Sequence, residues 1–354
     1  MSSDLESGKL FGGRGYDCGL SINLDSNGNT YISGTTNSES ISQGSHGQFE
    51  NHVDKYFAAM LNNNGTIIWN KTLEREYNYG DLVYFGIDFR PKDNSRIYFI
   101  AEGHPLAAVD SQGNVNVISP LYGKNILFNN DDIYILQGEL KLFKLNEFRE
   151  VIWEIDLENS KGTYQGGDAT ITNDGNILVA YEYLYSISPS GSIMWSKPLP
   201  GTANTLATNN QKEIIVGGFK NGFFGDVLCD SINEGFSFIA KFDQFGNIVW
   251  ENEFKLIIND LIAIDRYSQI LITGSFRDKI YLNIATMSYS FESCIIDQKY
   301  TNSMYLMRIN EDGIITRFDK SNMWSSGEAM TYNRNKLSLT GHYDGDIFIA
   351  NYYY

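Results

Sequence analysis

Residues 56–73 read YFAAMLNNNGTIIWNKTL, and residues 238–254 read FIAKFDQFGNIVWENEF. In each, an apolar run breaks at a polar, Asn- and Gly-bearing turn, and a second run follows through a Trp. Asn and Gly tolerate the positive φ that tight hairpin turns require, so each stretch reads as two antiparallel strands. The Gly-to-Trp half recurs as GTIIW at 65–69, GSIMW at 191–195 and GNIVW at 246–250, with REVIW at 149–153 lacking the Gly. Trp153 to Trp195 spans 42 residues, Trp69 to Trp153 spans 84, and Trp195 to Trp250 spans 55. A period of about 40–50 residues is the size of one four-stranded propeller blade.

The strand before each hairpin repeats as well. Its copies are TYISG (30–34), RIYFIA (96–101), DIYILQG (132–138), NILVA (176–180), EIIVGG (213–218), QILITG (269–274) and KLSLTG (336–341). These seven copies predict blades over about 18–73, 82–119, 124–157, 167–199, 203–254, 259–319 and 326–354. The last blade runs out of chain after three strands, at IFIANYYY, while GKLFGG at 8–13 is a strand without a blade. The predicted fold is an all-β, seven-bladed propeller, a single domain over 1–354, with the N-terminal strand completing the last blade. Such closure removes two exposed sheet edges.

Composition agrees. Among 354 residues there are 33 Gly, 23 Tyr and 21 Phe but only 6 Pro, which suits many short strands and tight turns. The net charge of −16 excludes a protein that tracks phosphate backbones, so no nucleic acid is expected. No apolar run approaches the ~18 residues of a membrane span, and MSSDLESGKLFGG has no basic-then-apolar leader. No membrane insertion is therefore expected. The expected location is cytoplasmic, or secreted if a leader was removed. Cys18, Cys229 and Cys294 are odd in number and far apart, which argues for reduced thiols rather than a zinc site or disulfide framework.

The stretch 17–69 resembles the bacterial SBBP-type β-propeller repeat. Asp17, Asp25, Gly28, Asn29, Tyr31, Gly34, Thr35, Asp54, Phe57, Ala58, Leu61 and Gly65 fall on its pattern. Blades 5 and 6 match its second half; blades 2, 3 and 4 match by period and strand order. The resemblance implies a seven-bladed binding scaffold and no catalytic residues. Two other propeller families fit less well. Quinoprotein dehydrogenases share the Ala–Gly–Trp spacing at Ala59, Gly65 and Trp69, yet the vicinal cysteines frequent there are missing. WD-type repeats need Trp-Asp dipeptides, and there are none.

Few residues point to chemistry. His46 and His52 share the segment 37–54 with Glu39, Glu50 and Asp54, but their spacing is unspecific for metal. Asp25–Asn29, Asp174–Asn176 and Asp344–Asp346 offer oxygens of the kind calcium takes, but hairpin turns use the same residues and no bidentate Glu closes the loop. No other cofactor is expected. Asp17, Asp81, Asp168, Asp260 and Glu328 stand near the heads of first strands, where they either line a channel mouth or accept backbone hydrogen bonds.

The expected function is a non-enzymatic scaffold that binds a partner protein or a glycan, as a monomer. The alternatives are a glycan lyase or hydrolase working at the channel mouth, or a lectin. The long second-to-third-strand segments, 37–54, 220–235 and 277–302, belong to blades contiguous in a closed ring and should form one raised crescent. Its expected binding residues are Arg14, Tyr16, His46, Phe49, Phe223, Phe224, Arg277 and Trp324, because aromatic and Arg side chains on loops are the usual anchors.

Overall fold

The computed structural model describes residues 5–13, 15–38, 41–43, 55–74, 87–92, 97–101, 104–138, 140–157, 167–220, 236–264, 269–293, 295–296, 299–322, 324–333 and 335–353. Every regular element among them is a β-strand. They form the seven four-stranded antiparallel blades of a β-propeller, over 17–74, 87–117, 125–156, 168–198, 202–254, 257–320 and 325–353, the last completed by Leu5–Gly12. The blades fall into two compact units. One comprises Met1–Gly138, Phe143–Ile152 and Glu328–Tyr354; the other comprises Glu139–Leu142 and Trp153–Gly327.

Burial follows position in the blade. The second strand of blade 1, Thr30–Thr36, is buried at every residue, because both of its faces and both of its edges are covered. The outer strands Val151–Asp156 and Ile193–Pro198 alternate half-buried and exposed residues instead. Cores lie between blade faces. In the first unit, Tyr31, Tyr56, Trp69, Phe89 and Phe99 pack blade 1 against blade 2. In the second unit, Leu178, Leu184, Leu206, Val216 and Phe238 pack blade 4 against blade 5.

The orphan strand does complete blade 7. Gly8, Lys9, Leu10 and Phe11 pair with Ala350, Ile349, Phe348 and Ile347. Its free edge takes a fifth, two-residue strand, with Ser42 opposite Gly12 and Gln43 opposite Phe11. Part of the segment 37–54 is thus sheet rather than loop.

The repeated Gly and Trp do not meet within one blade. Each Trp packs on the glycine of the next blade's third-to-fourth-strand turn. A Cβ on Gly113 would lie 2.7 Å from Trp69 Cδ2, and one on Gly246 would lie 2.8 Å from Trp195 Cζ3. Trp153 meets Gly191 and Trp250 meets Gly313 in the same way. Gly113 also has φ 81, so both its backbone and its missing side chain are used. Trp69 is buried; Trp153, Trp195 and Trp250 are only half-buried, because an outer strand shows one edge to solvent. In the closing strand Lys9 takes the Trp place. Its stem lies on Gly65, and its Nζ donates to the carbonyls of Asn64 and Gly65 at 2.8 and 2.9 Å.

Candidate functional site

Three of the candidate acids, Asp17, Asp168 and Asp260, are part of the scaffold. Asp168 Oδ2 accepts the Leu206 N–H of the next blade at 2.9 Å, and Asp260 accepts from Thr205 Oγ1 at 3.1 Å. Asp88, which the sequence reading passed over, does the same, taking the Ile126 N–H at 3.1 Å and the Ser21 hydroxyl at 3.3 Å. These carboxylates clasp neighbouring first strands. Asparagines add to the clasp, with Asn23 Nδ2 donating to Phe89 O and Asn259 Nδ2 to Gly327 O. Asp81 lies outside the described residues.

The three calcium candidates are hairpin turns. Asp25 Oδ1 accepts the N–H groups of Asn27 and Asn29, and its Oδ2 accepts Asn29 Nδ2 and the Tyr31 hydroxyl. Donors that converge on a carboxylate present positive hydrogens where a cation would sit. Asp174 is taken by the Thr172 hydroxyl and by Lys212 Nζ at 3.1 Å. In the last turn Asp344 and Gly345 both adopt left-handed φ, 52 and 86, as a two-residue hairpin requires. Among the described residues no group of three or more His, Cys, Asp or Glu converges as a metal site.

Of the eight expected binding residues, Arg14, His46, Phe49, Phe223 and Phe224 lie outside the described residues. Tyr16 requires a correction. It is 8% exposed rather than an open aromatic anchor. The connection that carries it is pinned inward: Asp17 Oδ2 accepts the Gly13 N–H at 2.8 Å, and Ser38 Oγ accepts the Gly15 N–H at 2.9 Å. The Tyr16 ring then lies 5.6 Å from the ring of His342 on the second strand of blade 7.

This buried cluster was missed from sequence. Burial drives its electrostatics. The His342 imidazole is pushed down to about 4 and is neutral at physiological pH. Burial raises the Asp17 carboxyl above its ordinary value, although hydrogen bonds from Thr36, Gly13 and Ser38 oppose the rise. Both groups are shut from solvent, at 3% and 0% exposure, so neither presents a proton to a bound substrate.

Arg277 and Trp324 lie on two connections that meet the blade 6 sheet at Asn302. Phe276 pairs with Ser303, so Arg277 and Asn302 leave the blade 6 sheet side by side. The blade 6-to-7 connection reaches the same point: Ser325 N donates to Asn302 O at 3.1 Å, one residue after Trp324. Both side chains are half-buried.

The segment 277–302 that begins and ends there is no open loop. It contains a two-stranded ribbon, Lys279–Ile284 paired with Met287–Glu292. Ile280, Leu282 and Phe291 face the outer strand of blade 6, and the Phe291 ring stands 4.6 Å from that of Phe318. The alternation of KIYLNI and MSYSFE about Ala285–Thr286 is the signal that reveals it.

No protein-family model matches this chain, and no curated protein matches it in sequence. Solved structures share its fold. A catalytically inactive variant of virginiamycin B lyase from Staphylococcus aureus, with quinupristin, superposes with a TM-score of 0.54 at 12% identity, over 96% of each chain. BamB from Moraxella catarrhalis gives 0.53 at 12% identity, over 100% of each chain. At such identity the likeness is one of fold, which hosts both enzymes and binding proteins.

Proposed function

We propose that the chain, as one propeller domain whose first blade resembles the SBBP-type repeat, is a non-enzymatic scaffold that binds a partner protein at the second-to-third-strand ends of its blades. The observation that carries this reading is that the chain positions of Arg277 and Trp324 both adjoin Asn302, which sets a cation and a large aromatic on two connections at one sheet end. Such pairs are the side chains most often decisive at protein interfaces. The fate of the acids supports the same reading, since Asp17, Asp168 and Asp260 are committed to hydrogen bonds within the scaffold. A glycan-binding role finds less support, because the repeated Trp side chains are used between blades instead of as open platforms.

The test is affinity purification from the native host with the full chain, against an Arg277→Ala/Trp324→Ala variant of unchanged circular dichroism. A partner retained by the wild type and at least tenfold depleted on the variant is the expected outcome. Equal recovery by both would remove this sheet end as the binding site. Turnover of an added substrate without any protein partner would favour the lyase or hydrolase alternative.

A further inference from the structure

The ribbon ends in a bare edge. The strand Met287–Glu292 pairs on one side with Lys279–Ile284, and no further strand pairs with it among the described residues. Met287, Ser288, Tyr289 and Ser290 are all exposed, Met287 at 63% and Tyr289 at 44%. Exposed edges are usually protected by Lys, Pro, a bulge or a covering segment. From Met287 to Phe291 there is no charged residue and no Pro, and the register to its partner strand is unbroken.

We infer that this edge pairs with its own copy in a second molecule, forming a two-fold dimer through a four-stranded antiparallel sheet. The argument is self-complementarity. Centred on Tyr289, antiparallel pairing sets Tyr289 against Tyr289 of the copy and Met287 against Phe291. It also sets Ser288 against Ser290. Aromatic, Met–aromatic and Ser–Ser partners are the favourable cross-strand kinds. The one charged residue, Glu292, falls opposite Thr286, so no like charges meet. Within its own ribbon Glu292 is already paired with Lys279 at 3.0 Å.

The apolar face of the new pairing continues a column already in place. Tyr305 stacks on Phe318, Phe318 meets Phe291, and Phe291 is followed by Tyr289 at 6.4 Å. A second Tyr289 extends that column across the two-fold axis. Such an isologous contact closes on itself and stops at two molecules. The pairing is the alternative to the monomer expected above. The net charge of −16 on each copy opposes it, which makes the dimer weak and salt-strengthened.

Sedimentation equilibrium on the full chain tests this, independently of any partner. The expected mass rises toward twice that of the chain with concentration, and does so earlier in roughly 0.5 M salt, where repulsion is screened. Tyr289→Lys and Tyr289→Glu each place like charges on the axis and should each stay monomeric. An equimolar mixture of the two should restore dimers, because Lys then faces Glu. A wild-type chain that is monomeric up to roughly 1 mM overturns the inference. So does association that survives in both variants, or a mixture that fails to restore it. Circular dichroism of each variant confirms an intact fold, and partner recovery through Arg277 and Trp324 is scored separately.

Discussion

At the residue scale, one contact repeats between blades: a Trp laid on the next blade's turn glycine. Trp69 is buried, and its replacement by Ala should cost about 3–5 kcal/mol by urea denaturation. Trp195 is half-buried and should cost less. Gly113→Ala should destabilise by more than about 1 kcal/mol, since a Cβ there meets Trp69 and φ is positive. His342 carries a pH signature. Its imidazole is pushed down to about 4 when buried but titrates near 6.5 in the unfolded chain, so the unfolded state takes up the proton first. Stability is therefore unaffected above about pH 6.5 and falls as pH drops toward 4, by up to about 3 kcal/mol. Asp17 acts with the opposite sign: its raised carboxyl gains a proton more readily folded than unfolded, which offsets part of the acid loss. His342→Phe should flatten the fall in denaturation midpoint between pH 7 and pH 4.5; an unchanged slope would assign the acid sensitivity elsewhere.

At the element scale, the closing strand and the ribbon matter most. Deleting residues 1–13 removes a full strand, the edge that receives Ser42–Gln43, and the Lys9 contacts on Gly65. The truncated chain should lose several kcal/mol and melt well below its parent. A melting temperature within a degree or two of the parent would show that closure is dispensable. Lys9→Ala alone removes two hydrogen bonds and should cost about 1–2 kcal/mol by the same measurement. The ribbon changes how segment 277–302 can be probed. Cutting it to a short turn would strip Ile280, Leu282 and Phe291 from the outer strand of blade 6, so point substitutions at Arg277 and Trp324 are the cleaner test of binding.

At the scale of the whole molecule, the propeller was legible because its signals are local and repeated. Alternation, positive-φ turn residues and a Gly-to-Trp spacing recur at blade length, and strand boundaries came within a few residues of those observed. Closure was legible too, since a three-strand last blade and a spare first strand imply each other. The candidate site was legible only in part. Arg277 and Trp324 were named, but that both of their connections adjoin Asn302 depends on a pairing register between residues far apart in sequence. Tyr16 was misread as exposed because hydrogen bonds from Gly13 and Gly15, to side chains as distant as Ser38, decide which way its connection turns. The amino-acid sequence by itself thus determined the period, the blade count and the turn chemistry, all properties of neighbouring residues. Only tertiary structure decided which acids are clasps, which aromatics are buried and which strand edge is left bare. Those outcomes depend on what the next blade places against each residue, and no local pattern encodes that.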